Sequence, residues 1–358
     1  MSIGIDIGGT KVAAGAVDVN GVILERLQQP TPSHSPSAVE EAILAAVHRL
    51  RRHGAESVGI GAAGWVDNAQ AVVAFSPHLA WRSEPLKARL AERINLPLIV
   101  DNDANAAAWA EYRFGAGRGS SVMVCITLGT GIGGGLVIGG QLFRGTYGMA
   151  GEWGHMISVP GGHWCECGNR GCWEQYASGN ALEREARALA KTHSPLAYRL
   201  LEMAGGDPDK ITGPDVTAMA IDGEPTAVEL IADVGTWLGR GIANLVAALD
   251  PEVVVIGGGV SAAGELLLAP AQREFSRTLT GRGFRAEAKL VLAHFRNDAG
   301  LIGAADLARR AIVEPPDSAR FGFWPRLKKR RALRLAEKAG RRTTPRPRHP
   351  AVGAGAAG

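Results

Sequence analysis

The chain has 358 residues, 46% of them hydrophobic and 21% charged, enough to bury the core of one large or two moderate domains. It starts on an alternating apolar segment with no basic leader ahead of a long apolar run. No stretch is long and apolar enough to span a bilayer, so the sequence reads as a cytoplasmic protein with no dedicated membrane partner. The formal charge of +4 arises at the end of the chain: residues 311–358 hold twelve Lys and Arg against three acids, which leaves −5 on the remainder and argues against a dedicated nucleic-acid binder.

In chain order, residues 2–17 predict a strand, a Gly8-Gly9-Thr10 turn and a second strand, a β-hairpin. Backbone N–H groups of such a turn, with the Thr10 hydroxyl and the Lys11 cation, can hold phosphate oxygens. Asp6, just before the turn, can orient Mg²⁺ on them through water. A plain glycine turn with a surface lysine is the alternative. A strand over 22–27, a Pro/Ser-rich loop over 30–37 and a helix over 38–53 follow, the helix marked by Val39, Ile43, Ala46, Val47 and Leu50. Residues 58–64 predict a buried strand that ends in a loop at Gly64–Asp67, and 85–94 a further helix.

Leu98-Ile99-Val100 then delivers Asp101-Asn102-Asp103 to an alanine-rich helix. Open α/β sheets bind ligands at such carboxyl ends of strands, which makes Asp103 the first candidate for a general base. Any one of Asp101, Asn102 and Asp103 could instead cap the helix. Residues 115–120 are glycine-rich and predict a hinge or linker. A second glycine loop, residues 129–135, is expected to turn the strand 122–128 back into a strand over 136–138. Two hairpins of one design suggest two related halves facing one nucleotide.

Cys165, Cys167 and Cys172 lie within eight residues of one another, with His155 ten residues ahead. In ligand type and number this matches a tetrahedral Cys₃His zinc site, with His163 as a rival fourth ligand. Unliganded reduced thiols are the other reading, since the chain shows no sign of an oxidising compartment. Cys125, inside an apolar strand, reads as core. Helices are expected over 179–191 and 226–249, then a strand over 251–256 ending in Gly257-Gly258-Gly259, a third backbone that a nucleotide could approach closely. A closing helix spans 297–311. Residues 313–358 change character to a basic segment rich in Pro, Gly and Ala, and predict a disordered tail.

The motifs Asp6-Ile-Gly-Gly-Thr-Lys11, Asp101-Asn-Asp-Ala-Asn-Ala106, Leu128-Gly-Thr-Gly-Ile-Gly-Gly-Gly135 and the His155/Cys165/Cys167/Cys172 cluster, in this order, resemble the ROK family of sugar kinases and sugar-responsive repressors. Within that family the resemblance is strongest to the bacterial glucokinases, over roughly residues 2–312. It implies an actin-like ATPase fold, related to ribonuclease H, with two α/β domains around a cleft: residues 1–115 plus 297–312, and a larger zinc-bearing domain over 116–296.

It further implies ATP, Mg²⁺ and structural Zn²⁺, and a homodimer or homotetramer. Nucleotide would be held by Gly8, Gly9, Thr10 and Lys11, by Thr130, Gly131, Gly133 and Gly134, and by Gly257, Gly258 and Gly259. Sugar would be held by Asn102, Asp103, Glu152, His155 and Glu174, with Gly64 nearby. His155 would both ligate zinc and touch a sugar hydroxyl. The implied reaction is transfer of the γ-phosphoryl group of ATP to the 6-hydroxyl of glucose, with Asp103 as base. Positioning and charge neutralisation dominate such transfers. A kinase for mannose, fructose, N-acetylglucosamine or N-acetylmannosamine, polyphosphate as donor, and a sugar-sensing regulator are the alternatives. A regulator of this family would carry an amino-terminal helix-turn-helix, whereas this chain begins on the Asp6 hairpin.

Overall fold

The computed structural model describes residues 1–313; the basic tail expected from 313 onward lies, beyond Val313 itself, outside the described residues. The first strand, β1 (Ser2–Ile7), pairs antiparallel with β2 (Lys11–Val17), which pairs with β3 (Ile23–Pro30). Helix α1 (Pro36–Leu50) starts where the Ser35 hydroxyl accepts from Ala38 N, and a 3-10 turn continues it through His53, as the spacing predicts. Strand β4 (Val58–Ala62) returns parallel to β1. Three short strands that the sequence did not announce follow: β5 (Trp65–Val66), β6 (Val73–Phe75) and β7 (Arg82–Glu84), which form their own small sheet. Helix α2 (Leu86–Ala91), strand β8 (Leu98–Asn102) and helix α3 (Asp103–Phe114) complete this half, with β8 parallel to β4.

The second half repeats the plan. Strands β9 (Val122–Leu128) and β10 (Ile132–Ile138) form an antiparallel hairpin, and β11 (Gln141–Leu142) adds to its edge. Helices α4 (Glu174–Ala177), α5 (Gly179–Lys191), α6 (Tyr198–Met203), α7 (Gly213–Ile221) and α8 (Pro225–Leu249) lead to β12 (Val253–Gly257), parallel to β9. Helix α9 (Glu265–Thr278), strand β13 (Lys289–Leu292) and helix α10 (Ala299–Val313) close the described chain. The two large sheets run β3-β2-β1-β4-β8 and β11-β10-β9-β12-β13, each an antiparallel three-strand meander continued by two parallel strands. That duplicated order is the actin-like arrangement.

One expectation is corrected here. The second glycine loop is short: Ile132 to Ile138 is all strand, with Gly133 opposite Thr127 and Gly134 opposite Ile126. Glycine has weak strand propensity, yet the ladder to β9 and the close approach of neighbours hold the run extended.

Helix α10 lies on the first sheet although it follows the second in sequence. A Cβ at Gly4 of β1 would overlap the Leu301 carbonyl, and one at Gly59 of β4 the Ala304 carbonyl. The absence of side chains lets helix backbone sit directly on strand backbone. Ala106, Trp109, Met123, Val255 and Leu307 share one buried cluster, so α3 and α10 fill the space between the two sheets.

Candidate active site

The structure assigns each of the three polar residues at the β8–α3 junction a separate role. Asn102 is the N-cap, its side-chain oxygen accepting from Asn105 N at 2.9 Å. Asp101 is buried, and both its oxygens are occupied. Oδ2 accepts from Gln70 Nε2 at 2.9 Å and from Arg144 Nε and Nη2 at 2.9 and 2.6 Å; Oδ1 accepts from Asn102 N and Asn105 Nδ2. Asp103 accepts from Ala104 N at 2.9 Å and Asn102 Nδ2 at 3.1 Å, both on Oδ1, so Oδ2 keeps its lone pairs for a proton. Burial raises the Asp103 pKa, against the lowering effect of those bonds and of nearby His78. A raised carboxylate is a stronger base than an exposed one.

Asp6, near the end of β1, is a second half-buried acid, and it lies within the field of Asp103. Burial first, then the Asp103 charge, push its pKa up to about 7, while Lys11 pulls it down. Its carboxyl packs against Gly300 in the first turn of α10, where helix N–H groups favour negative charge. The turn Gly8-Gly9-Thr10 is held from below by Thr31, whose hydroxyl donates to Gly8 O at 2.8 Å and whose N–H donates to Thr10 O at 3.0 Å. His78 packs against Gly9 at this turn and lies within electrostatic reach of Asp103.

From the second half come Glu152, His155 and Glu174. Glu152 lies within electrostatic reach of Trp65 and of Asp103, so it is influenced by groups from the first half. Burial raises its pKa, and His155, with Nε2 at 3.9 Å, lowers it. Glu174 lies 3.4 Å from His155 Nδ1, 3.0 Å from Cys165 Sγ and 3.4 Å from Ile132 N, so it ties the cysteine cluster to the turn at Thr130 and Gly131. That turn is docked on α5, where Gly179 N and Asn180 N donate to Gly129 O and Thr130 O. Gly258, at φ +85°, abuts Leu128 at the end of β9, which brings Gly257, Gly258 and Gly259 beside the same turn. Gly64 joins the β8–α3 junction through its carbonyl, which accepts from Asn102 Nδ2 at 3.0 Å.

Gly133 and Gly134 stand one step behind. As strand residues of β10, Gly133 packs on Ala104, which lets helix α3 approach the second sheet, and Gly134 packs on Trp153 and Gly151.

The cysteine cluster fits zinc. Cys167 and Cys172 sulfurs are 3.6 Å apart, Cys165 Sγ is 3.6 Å from His155 Nδ1, and the four donor atoms lie within 4.8 Å of one another. Bonds of about 2.3 Å put tetrahedral sulfurs roughly 3.8 Å apart, so the donors need little movement to close on a metal. The rival His163 is outside this set, its ring packed on Tyr176 at 5.3 Å. Cys125 is core, as expected, and burial pushes its thiol up.

The residues that sequence reasoning missed are Trp65, Gln70, His78 and Arg144. Each sits in a loop or short strand with no periodicity and has a partner more than 30 residues away.

The sequence pattern of the ROK family matches residues 2–311. The glucokinase of Streptomyces coelicolor is 47% identical over 310 residues, spanning 86% of this chain and 98% of that relative. An Escherichia coli N-acetylmannosamine kinase is 38% identical over 312 residues, again spanning 86% and 98%. Among solved structures, a ROK family glucokinase from Streptomyces griseus in complex with glucose and AMPPNP is 48% identical, covers 86% of this chain and 99% of its own, and superimposes with a TM-score of 0.81.

Proposed function

The chain belongs to the ROK family, and from that premise we propose that it transfers the γ-phosphoryl group of ATP to the 6-hydroxyl of glucose. The observation that carries this reading is Asp103, a half-buried carboxylate whose pKa burial raises, with one oxygen held and the other free, in the field of Glu152 and of Asp6. Asp103 accepts the hydroxyl proton as the sugar oxygen attacks. Asn102, Glu152, His155 and Glu174, with Gly64 beside them, read the other hydroxyls. A polar site of this type rejects analogues that leave its groups unpaired.

The triphosphate runs along Gly8, Gly9, Thr10 and Lys11 on one side and Thr130, Gly131 and Gly257 to Gly259 on the other, with Gly133 and Gly134 giving the strand behind room to approach. Mg²⁺ supplies charge neutralisation on the phosphates when bound, and Asp6 is the carboxylate that would orient it through water. His155, Cys165, Cys167 and Cys172 would hold Zn²⁺ as a structural brace. Residues 1–115 with 297–312 form one closing lobe and 116–296 the other, and closure keeps water from the phosphoryl group. We take the protein to act as a cytoplasmic homodimer or homotetramer.

An ADP-release assay with MgATP against glucose, mannose, fructose, N-acetylglucosamine and N-acetylmannosamine, with polyphosphate as a second donor, tests the reading. Rapid turnover on glucose is the expected result. The 38% identity to an N-acetylmannosamine kinase makes that sugar the second reading, and preference for it would keep the mechanism while changing the substrate. Sugar binding without any ATP consumption would replace the kinase with a sensor.

A further inference from the structure

We infer that Arg144 and Asp101 form a positioning pair that sets the spacing between the base and the residues that read the sugar. The inference rests on the reading of Asp103 as the base. Asp101 lies on β8 of the first sheet and Arg144 just after β11 of the second, so their ion pair, 2.6 Å at its shortest, crosses between the halves. The Asp101 carboxylate is saturated by five donors and has no capacity left for substrate or proton. It acts on the site through Asn102, whose backbone N–H it holds at 2.9 Å and whose side chain in turn holds Asp103 Oδ1 and Gly64 O.

Arg144 reaches the other side of the site through its backbone. Its carbonyl accepts from Ala150 N at 3.1 Å, which closes a loop with left-handed glycines at 145 and 148, and two residues beyond Ala150 the chain delivers Glu152. One residue therefore anchors the base-bearing strand with its guanidinium and the sugar-reading segment with its carbonyl. Gln70, at φ +55°, adds a third donor from the small sheet's loop. A buried Arg–carboxylate pair of this geometry is a costly arrangement whose benefit is a fixed orientation.

The test measures turnover per glucose-binding site, with sites counted by equilibrium dialysis of labelled glucose, in wild type, Arg144→Met, Arg144→Lys, Arg144→Met/Asp101→Asn and Asp103→Asn. For Arg144→Met the expected result is turnover per site down about 10–100-fold, with glucose affinity altered by less than about threefold, because the base is displaced rather than the sugar released. Arg144→Lys should recover part of the loss, and the double variant should be as slow as Arg144→Met. If Arg144→Met does not fold, the double variant, which leaves no unpaired buried charge, carries the same two outcomes. Wild-type turnover per site, or a loss confined to affinity or to the number of sites, overturns the inference. Asp103→Asn with near-normal turnover would instead sink the base assignment, and the two failures are thereby separate.

Discussion

The two five-stranded sheets share one strand order, and each hairpin ends in a glycine turn with a threonine, yet they contribute different chemistry. The first half holds its turn with Thr31 and His78, with a half-buried acid near the end of β1 and the candidate base just after β8. The second half instead hangs a long segment after β11, and this carries Glu152, His155, the three cysteines and Glu174. Duplication thus accounts for two glycine turns of one design, and divergence for the different residues that surround them. On the proposed reading the base comes from one half and most of the sugar readers from the other, so neither half would be a site by itself.

The largest expected effect falls on the first half's contribution. Asp103→Asn should lower kcat by about 10²–10⁴-fold while glucose binding, measured by dialysis, largely survives. Near-normal turnover would break the assignment of the base to this half. Next is the second half's brace. Cys167→Ser, or treatment with a strong chelator, should remove zinc and weaken glucose binding by roughly 10–100-fold, read by elemental analysis beside a binding titration. Freshly purified protein without zinc would overturn this.

A glycine in each half sharpens the contrast further. Gly4→Ala drives a Cβ into the Leu301 backbone carbonyl oxygen, whereas Gly134→Ala meets chiefly the Trp153 ring, a side chain, with the Gly151 carbonyl oxygen at 2.9 Å. Urea denaturation should show a loss of roughly 1–3 kcal/mol for the first and less for the second. Gly134→Ala should in turn disturb glucose affinity more, since Trp153 is the neighbour of Glu152.

The smallest effect concerns two carboxylates that each clamp arginines on the outside of a half. The His53 hydrogen bond first, then Arg52 and Arg49, hold Glu25 down, and Arg277 and Arg240 hold Glu274 down, both to about 2. A depressed carboxylate stabilises the fold at pH values above its ordinary value near 4.5, and that contribution is lost as pH falls through about 2. Glu274→Gln should therefore flatten the fall in thermal stability between about pH 4.5 and 2 while changing little at the lowest pH. An unchanged acid limb would show that the α8–α9 clamp contributes nothing.

Much of this was legible in the sequence wherever the signal is local. Alternating apolar residues around Gly8-Gly9-Thr10 give the first hairpin, and the Leu98–Val100 run into an alanine-rich segment gives the strand and helix that expose Asp103. Three closely spaced thiols and His155 give a metal-type cluster that the fold brings together. The glycine run at 133–135 misled because glycine is the common turn residue, and only pairing with β9 and the proximity of α3 and Trp153 make it strand. The small β5–β7 sheet was invisible because strands of two or three residues carry no periodicity.

The sequence by itself determined which groups the candidate site has at its disposal: three glycine-rich turns, an acid after a strand, a segment with the Cys₃His cluster, and a family. Tertiary structure alone decided which acid is free. Asp101, Asn102 and Asp103 are equivalent as neighbours in a chain. Arg144, 43 residues further on, and Gln70, 31 residues back, saturate Asp101 and leave Asp103 with an open oxygen. The physical reason is that hydrogen-bond capacity is a property of what surrounds an atom, and for a buried carboxylate those surroundings are supplied by parts of the chain that only folding brings near.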